Sequence, residues 1–198
     1  KVISIADKMD NIVATFSRGL IPTGSQDPYA LRRQAMGIVN ILIDGQYHVS
    51  LKEVIAMSMD LLGISEAERR EKLLADIQDF FRLRVKNALT DEGIRYDMVD
   101  AIMAVGTDDV YDTWLRAKAL ALDGGTAAMQ KAVQAFTRAG NLVKNATVSA
   151  PVDPSVFVAD VEKDLHAAYL KAEKEINSFI AQENYRGVLE VMAQMAGP

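Results

Sequence analysis

Apolar residues recur every three or four positions along almost the whole of this 198-residue chain, and no stretch alternates apolar and polar residues convincingly. A 3.6-residue period puts one stripe of side chains on one face of a helix, whereas a strand needs a period of two. The pattern therefore predicts an all-α, multi-helix array. Ile5, Met9, Ile12, Val13 and Phe16 form one stripe, which places a helix over Val2–Ser17. Leu31, Ala35, Ile38 and Leu42 form another. No fixed-period repeat is evident, so the array is not an obvious solenoid.

Punctuation between the stripes sets the expected boundaries. Gly19 and Pro22 end the first helix, and Thr23-Gly24-Ser25 is turn chemistry. Asp27 is placed to cap the second helix, with Pro28 at its first position, where the missing N–H costs nothing. Ser50…Glu53 and Ser65…Glu68 are each spaced as a capping box. Gly63-Ile64 suits a Schellman stop after Leu51, Val54, Ile55, Met59 and Leu62. The Ser65 box opens a long helix with Leu73, Ile77, Phe80, Phe81 and Ala88 inward, broken by Asp91-Glu92-Gly93. Asp97 and Thr107 are the expected caps of the next two helices, and Gly124-Gly125-Thr126 precedes a helix running to about Asn145. Thr147 to Pro154 reads as a linker. Beyond it, Val161, Leu165, Tyr169, Ala172, Ile176 and Ile180 mark a long amphipathic helix, joined by a short turn near Asn184 to a last helix with Val188, Leu189, Met192 and Met195. Those two are expected to pack as an antiparallel hairpin.

Composition narrows the function classes. With 49% apolar and 25% charged residues the chain has material for a core. No apolar run approaches the roughly 18 residues that span a bilayer, and no segment resembles a signal peptide. The absence of cysteine excludes disulfides and thiolate metal sites and fits a cytoplasmic location. The net charge of −5 is uneven: residues 1–62 balance to zero, 63–150 carry −1 and 151–198 carry −4. A chain gripping a phosphate backbone along its length is usually basic, so any RNA contact is expected from local patches, and neither DNA nor a membrane is an expected partner. The chain opens on Lys1 with helical periodicity beginning at once, and the pattern at the far end stops without a partner; both ends read as cut from a longer protein.

Four groups of residues carry possible chemistry. A Ser/Thr/Gly loop, a helix N-terminus and the pair Arg32-Arg33 have the elements of a phosphate site; equally, the arginines can pair with Asp27 or with carboxylates of a neighbouring helix. Asp7 and Asp10 lie three apart on one helix face, but a metal site needs several converging ligands, and His48 and His166 lie elsewhere. No metal is expected, and Asp7 is a ligand only if a site were completed by residues upstream. Lys131, Arg138 and Lys144 make a basic stretch that also reads as an ordinary exposed face. Trp114, Tyr169, Phe179 and Tyr185 could stack on bases, yet at helical spacing beside Leu and Val they read first as core. No phosphate-cradling glycine loop, no nucleophile–His–acid set and no catalytic residue is visible.

The segment Ser4–Arg33 is more particular than a helix start requires. Ala6, Asp7, Lys8, Asp10, Phe16, Gly19, Pro22 to Ser25, Asp27, Pro28 and Ala30 to Arg33 reproduce the A-D-K-x-D, F-x-x-G-x-x-P-T-G-S-x-D-P and A-L-R-R pattern at fixed spacing. It resembles the beta subunit of bacterial glycyl-tRNA synthetase. The likeness continues more weakly through Phe80 to Leu83, Gly93, Asp97 to Val105, Arg116 to Leu120 and Phe136 to Lys144; in the last, Thr137-Arg138 replaces a Lys-Arg and Asn141 matches an Asn. The ADK segment also resembles the last metal-binding segment of HD-type phosphohydrolase domains. The resemblance implies an HD-domain-like helical segment over 1–63, a helical connecting body over 64–150, and over 151–198 the start of a helical anticodon-binding domain of the DALR type. It further implies a part of glycine–tRNA ligase with no aminoacylation centre of its own, serving tRNA binding and subunit scaffolding, with Arg32, Arg33, Arg138 and Lys144 as tRNA-binding candidates. Its partners would be the alpha subunit, which binds ATP and Mg, and glycine tRNA; this part itself would hold no cofactor. A helical protein-interaction module and a relic of an HD-type phosphohydrolase are the alternatives.

Overall fold

The computed structural model describes residues 1–144 and 152–195, which form nine α-helices and no strand. In chain order they are α1 (Val2–Ser17), α2 (Leu31–Gly45), α3 (Leu51–Leu61), α4 (Ala67–Asp91), α5 (Tyr96–Val105), α6 (Val110–Asp123), α7 (Ala127–Val143), α8 (Asp160–Ala181) and α9 (Tyr185–Gln194), with a 3-10 turn at Pro154–Val156. The all-α expectation holds. Packing divides the chain into two compact units, the first Lys1–Ala117 and the second from Lys118 on, so the division falls inside α6. This is a different line from the three segments read in the sequence. Part of the expected linker, and Asn145, lie outside the described residues.

In the first unit α1, α2, α3 and α4 pack on one another, and α5 packs on α4. The apolar stripes meet here. Met9, Ile12, Val13 and Phe16 of α1, Leu31, Ala35, Ile38, Val39 and Leu42 of α2, and Leu73, Ile77, Phe80, Phe81, Val85 and Leu89 of α4 are buried. The Phe16 and Phe80 rings meet edge to face at 5.0 Å, and Phe81 stands perpendicular to Phe80 at 6.5 Å. Polar ties fix the frame: Ser58 Oγ donates to Asp10 Oδ1 at 2.7 Å, joining α3 to α1, and Arg69 Nη2 donates to the Ser17 carbonyl at 2.9 Å, joining the start of α4 to the end of α1.

The helix ends show where local reading succeeds and where it does not. Gly63 and Gly93, with φ of +69° and +78°, end α3 and α4 in the same way. The Ile64 N–H bonds to the Met59 carbonyl and the Ile94 N–H to that of Leu89, and both isoleucines are buried, which is the Schellman arrangement. The start of α2 differs from expectation. Pro28 and Tyr29 form a turn closed by the Ala30 N–H on the Asp27 carbonyl, and Ala30 adopts φ +54°, which no helix continues through. The helix begins at Leu31, and Asp27 reaches over the turn to accept from the N–H groups of Leu31 (2.8 Å) and Arg32 (3.0 Å). Asp27 is thus the cap, but Pro28 is not in the helix.

The other caps also differ from expectation, one of them through a partner distant in sequence. Ser50 accepts from the Glu53 N–H as expected, but its hydroxyl donates to Asp108, whose other oxygen accepts from the Lys52 N–H. Asp109, not Thr107, caps α6 through the Asp112 N–H, and its other oxygen meets His48 at 2.8 Å. No side chain caps α4 or α5: Ser65 stands outside, and Asp97 lies in the first turn of α5, paired with Arg95.

In the second unit α9 packs against α7 and α8. The α8–α9 pair is the expected hairpin, with Asn184 capping α9 through the Gly187 N–H. Gly187 is buried against Phe179, and a Cβ there would lie 2.7 Å from the ring. Thr126 caps α7 through the Met129 N–H, and Arg186 pairs with Asp123 at 2.7 Å. Burial is thinner than periodicity implied: Ala172 is the buried residue of the α8 stripe, while Val161, Leu165 and Tyr169 are exposed, as is Phe136 of α7.

Two substitutions test this frame. Phe81→Ala is expected to cost about 3–5 kcal/mol, because a fully buried ring leaves a cavity that helices cannot collapse around. Asp27→Ala, which strands two backbone donors, is expected to cost about 1–2 kcal/mol. Urea unfolding followed by far-UV circular dichroism reads both; a midpoint unchanged in Asp27→Ala would show that the cap contributes nothing.

Candidate functional site

The end of α1, the Ile21-Pro22 segment, the first turn of α2 and the middle of α4 surround a recess of about 310 Å³. Gly24, at φ +51°, closes a tight turn in which the Gln26 N–H bonds to the Thr23 carbonyl at 2.9 Å. The loop then passes Asp27 into its capping role, and this fixes the direction in which α2 leaves. Arg32 lines the recess together with Phe16, Ile21, Pro22, Asp76, Asp79, Phe80, Leu83 and Arg84. Arg33, one residue on, is exposed.

The expectation that Arg32 and Arg33 pair with Asp27 or a neighbouring carboxylate is not met among the described residues. Asp27 spends both oxygens on backbone N–H groups, and neither arginine has a salt bridge with any described carboxylate. Arg32 instead faces a second arginine that sequence reading missed. Arg84 is 6% exposed. Its Nη1 donates to the Phe80 carbonyl at 2.7 Å, and its Cζ lies 3.8 Å from the centre of the Phe80 ring. Burial pushes the Arg84 pKa down, repulsion from Arg32 adds to this, and Asp27 opposes it. The available signal was the spacing: an aromatic and an arginine four apart share a helix face, and cation–π stacking follows from it.

None of the remaining candidates lines this recess. Arg138 and Lys144 are exposed, on α7 and at its C-terminal end in the second unit, as is Lys131. Asp7 is exposed on α1, Asp10 is engaged by Ser58, and His48 is held by Asp109 and by the edge of the Tyr111 ring. Among the described residues no group of three or more His, Cys, Asp or Glu side chains is placed to hold a metal ion. Trp114 stacks on Tyr111 at 6.0 Å, so its face is used within the fold. No described helix is long and apolar enough to cross a membrane.

The recess offers two guanidinium groups, an apolar floor and two carboxylates, a set of groups suited to recognising a polar or anionic ligand. Comparison with known proteins agrees with the resemblance in Ser4–Arg33. Residues 1–104 match the family model described as glycyl-tRNA synthetase beta subunit. Over the full chain it is 39% identical to the glycine–tRNA ligase beta subunit of Desulforamulus reducens and 37% identical to that of Desulforudis audaxviator, spanning 28% of each. Against the beta subunit of Geobacter sulfurreducens it is 39% identical, with 98% of this chain and 28% of that subunit aligned. The chain thus spans rather more than a quarter of the relatives it matches, and it belongs to the glycyl-tRNA synthetase beta-subunit family.

Proposed function

We propose that this chain serves glycine–tRNA ligase as the helical part of its beta subunit that binds glycine tRNA and scaffolds the assembly in the cytoplasm. In this reading the reaction is the ATP-dependent attachment of glycine to its tRNA, and ATP and Mg are bound by the alpha subunit. The residues described here carry no part of the bond-making. The three-segment organisation stays with the proposal: residues 1–63 HD-like, 64–150 connecting, and 151–198 the start of an anticodon-binding domain.

One observation supports this most directly. Arg32 and Arg33 begin a helix at the edge of a recess and have no carboxylate partner among the described residues, so their charge is available to an anion. Helix N-termini add to such a site, since their N–H groups favour negative charge. Here, however, Asp27 has taken the Leu31 and Arg32 N–H groups, which leaves the arginine side chains to do the binding. Arg138 and Lys144 are further candidates, exposed on a different unit. An overall charge of −5 is compatible with RNA contact at such patches, not along the length of the chain.

The test uses the full-length beta subunit assembled with its alpha subunit. Reversing charge at Arg32 and Arg33 together (Arg32→Glu, Arg33→Glu) is expected to weaken glycine-tRNA binding about tenfold or more, since a single charge-assisted contact contributes about 1.5–3 kcal/mol. Filter binding checks this. Binding and aminoacylation at parental levels would remove both arginines from the site. An intact assembly with no preference for glycine tRNA, but with firm protein association, would favour the interaction-module reading instead.

A further inference from the structure

α4 carries a charge that helix packing alone does not explain. Arg84 faces inward among Phe80, Phe81 and Val85, and at 6% exposure it sits where a Leu or Met would pack. Burying a guanidinium is costly unless its charge is paired and its donors are used. Among the described residues Arg84 has no carboxylate within salt-bridge distance, and one hydrogen bond, to the Phe80 carbonyl. Arg84 lines the recess together with Arg32. Two like charges are therefore held toward one cavity, close enough for Arg32 to disfavour the charged form of Arg84. Asp27, the carboxylate that opposes this, is occupied by the cap of α2.

We propose that Arg84 and Arg32 together form an oxyanion pocket that seats one backbone phosphate of a bound RNA. This deepens the tRNA-binding reading above and rests on it. The forked guanidinium groups match phosphate oxygens two at a time. Asp76 and Asp79, which also line the recess and make no hydrogen bond or ion pair with a described residue, decide between ligand classes. Their charge opposes a phosphate and a carboxylate alike, so it favours neither; what separates the classes is that they can accept hydrogen bonds from the 2′-hydroxyl groups of RNA, donors that the carboxylates of an acidic peptide lack. Ile21 and Leu83, both partly exposed at this recess, offer apolar surface to a ribose or base. Phosphate, hydroxyl and apolar ring each meet a matching group within one cavity.

The experiment measures glycine-tRNA affinity of the full-length beta subunit, assembled with its alpha subunit, as a function of salt. Arg32→Gln and Arg84→Met each remove one charge, the second with an unbranched apolar side chain that fills part of the same space. Each is expected to weaken binding about fivefold to tenfold and to make log K against log salt shallower by about 0.7–0.9, the change for one lost phosphate contact. Arg32→Lys, which keeps the charge, is expected to retain the parental slope. A purely structural role for Arg84 would leave the slope unmoved. Parental slope and affinity in Arg32→Gln overturn the pocket, and this arm stands even if Arg84→Met does not fold. Unchanged tRNA binding with loss of alpha-subunit association would mean that the recess holds a protein carboxylate, which also overturns it. If the parent assembly binds no glycine tRNA, the underlying reading fails, and the pocket with it.

Discussion

The Phe80 ring joins the packing of the first unit to the placement of its buried charge. It meets the Phe16 ring edge to face and so ties α4 to α1. A face of the same ring carries the Arg84 guanidinium at 3.8 Å, and the carbonyl of Phe80 holds that guanidinium in place. Hydrophobic packing and charge placement are thus two results of one side chain. Because interiors are close-packed and respond to changes of a single methylene, a shift of the ring would move the arginine with it. The recess keeps its shape because its floor belongs to the core.

Much of this fold was legible because it is local. The α1 stripe fixed that helix at Val2–Ser17, since apolar periodicity and the Gly19 stop act within one or two turns of the residues concerned. The Schellman end at Gly63-Ile64 was legible for the same reason. What failed was competition between local options. Asp-Pro at the start of α2 satisfies the rule for a cap followed by a first helical residue, but it satisfies equally the rule for a turn with Pro in its second place, and Ala30 at φ +54° belongs to the turn. Ser65 lost its cap although its spacing was right, while Ser50 kept its own and gained Asp108. Pairings of that span leave no periodic trace.

The candidate site follows the same division. Arg32 and Arg33 were found because they stand in a distinctive run beside a helix start. Arg84 was missed because an arginine inside an otherwise charged helix reads as a solvated face, and only the burial of its neighbours reverses that reading. In the second unit the error ran the other way. The stripe of α8 is real as a pattern, yet periodicity says which residues share a face and nothing of what covers it, and here Ala172 is the one that is buried.

The Ser50–Asp108 clamp has a kinetic meaning. It joins positions 58 residues apart, and the Leu51 N–H on the Asp108 carbonyl doubles the connection. Closing so long a loop costs entropy, and contacts of wide sequence separation slow folding for that reason. The clamp is therefore one of several long closures in the first unit, Phe16 on Phe80 among them, and it sets where the chain entering α6 lies against the start of α3.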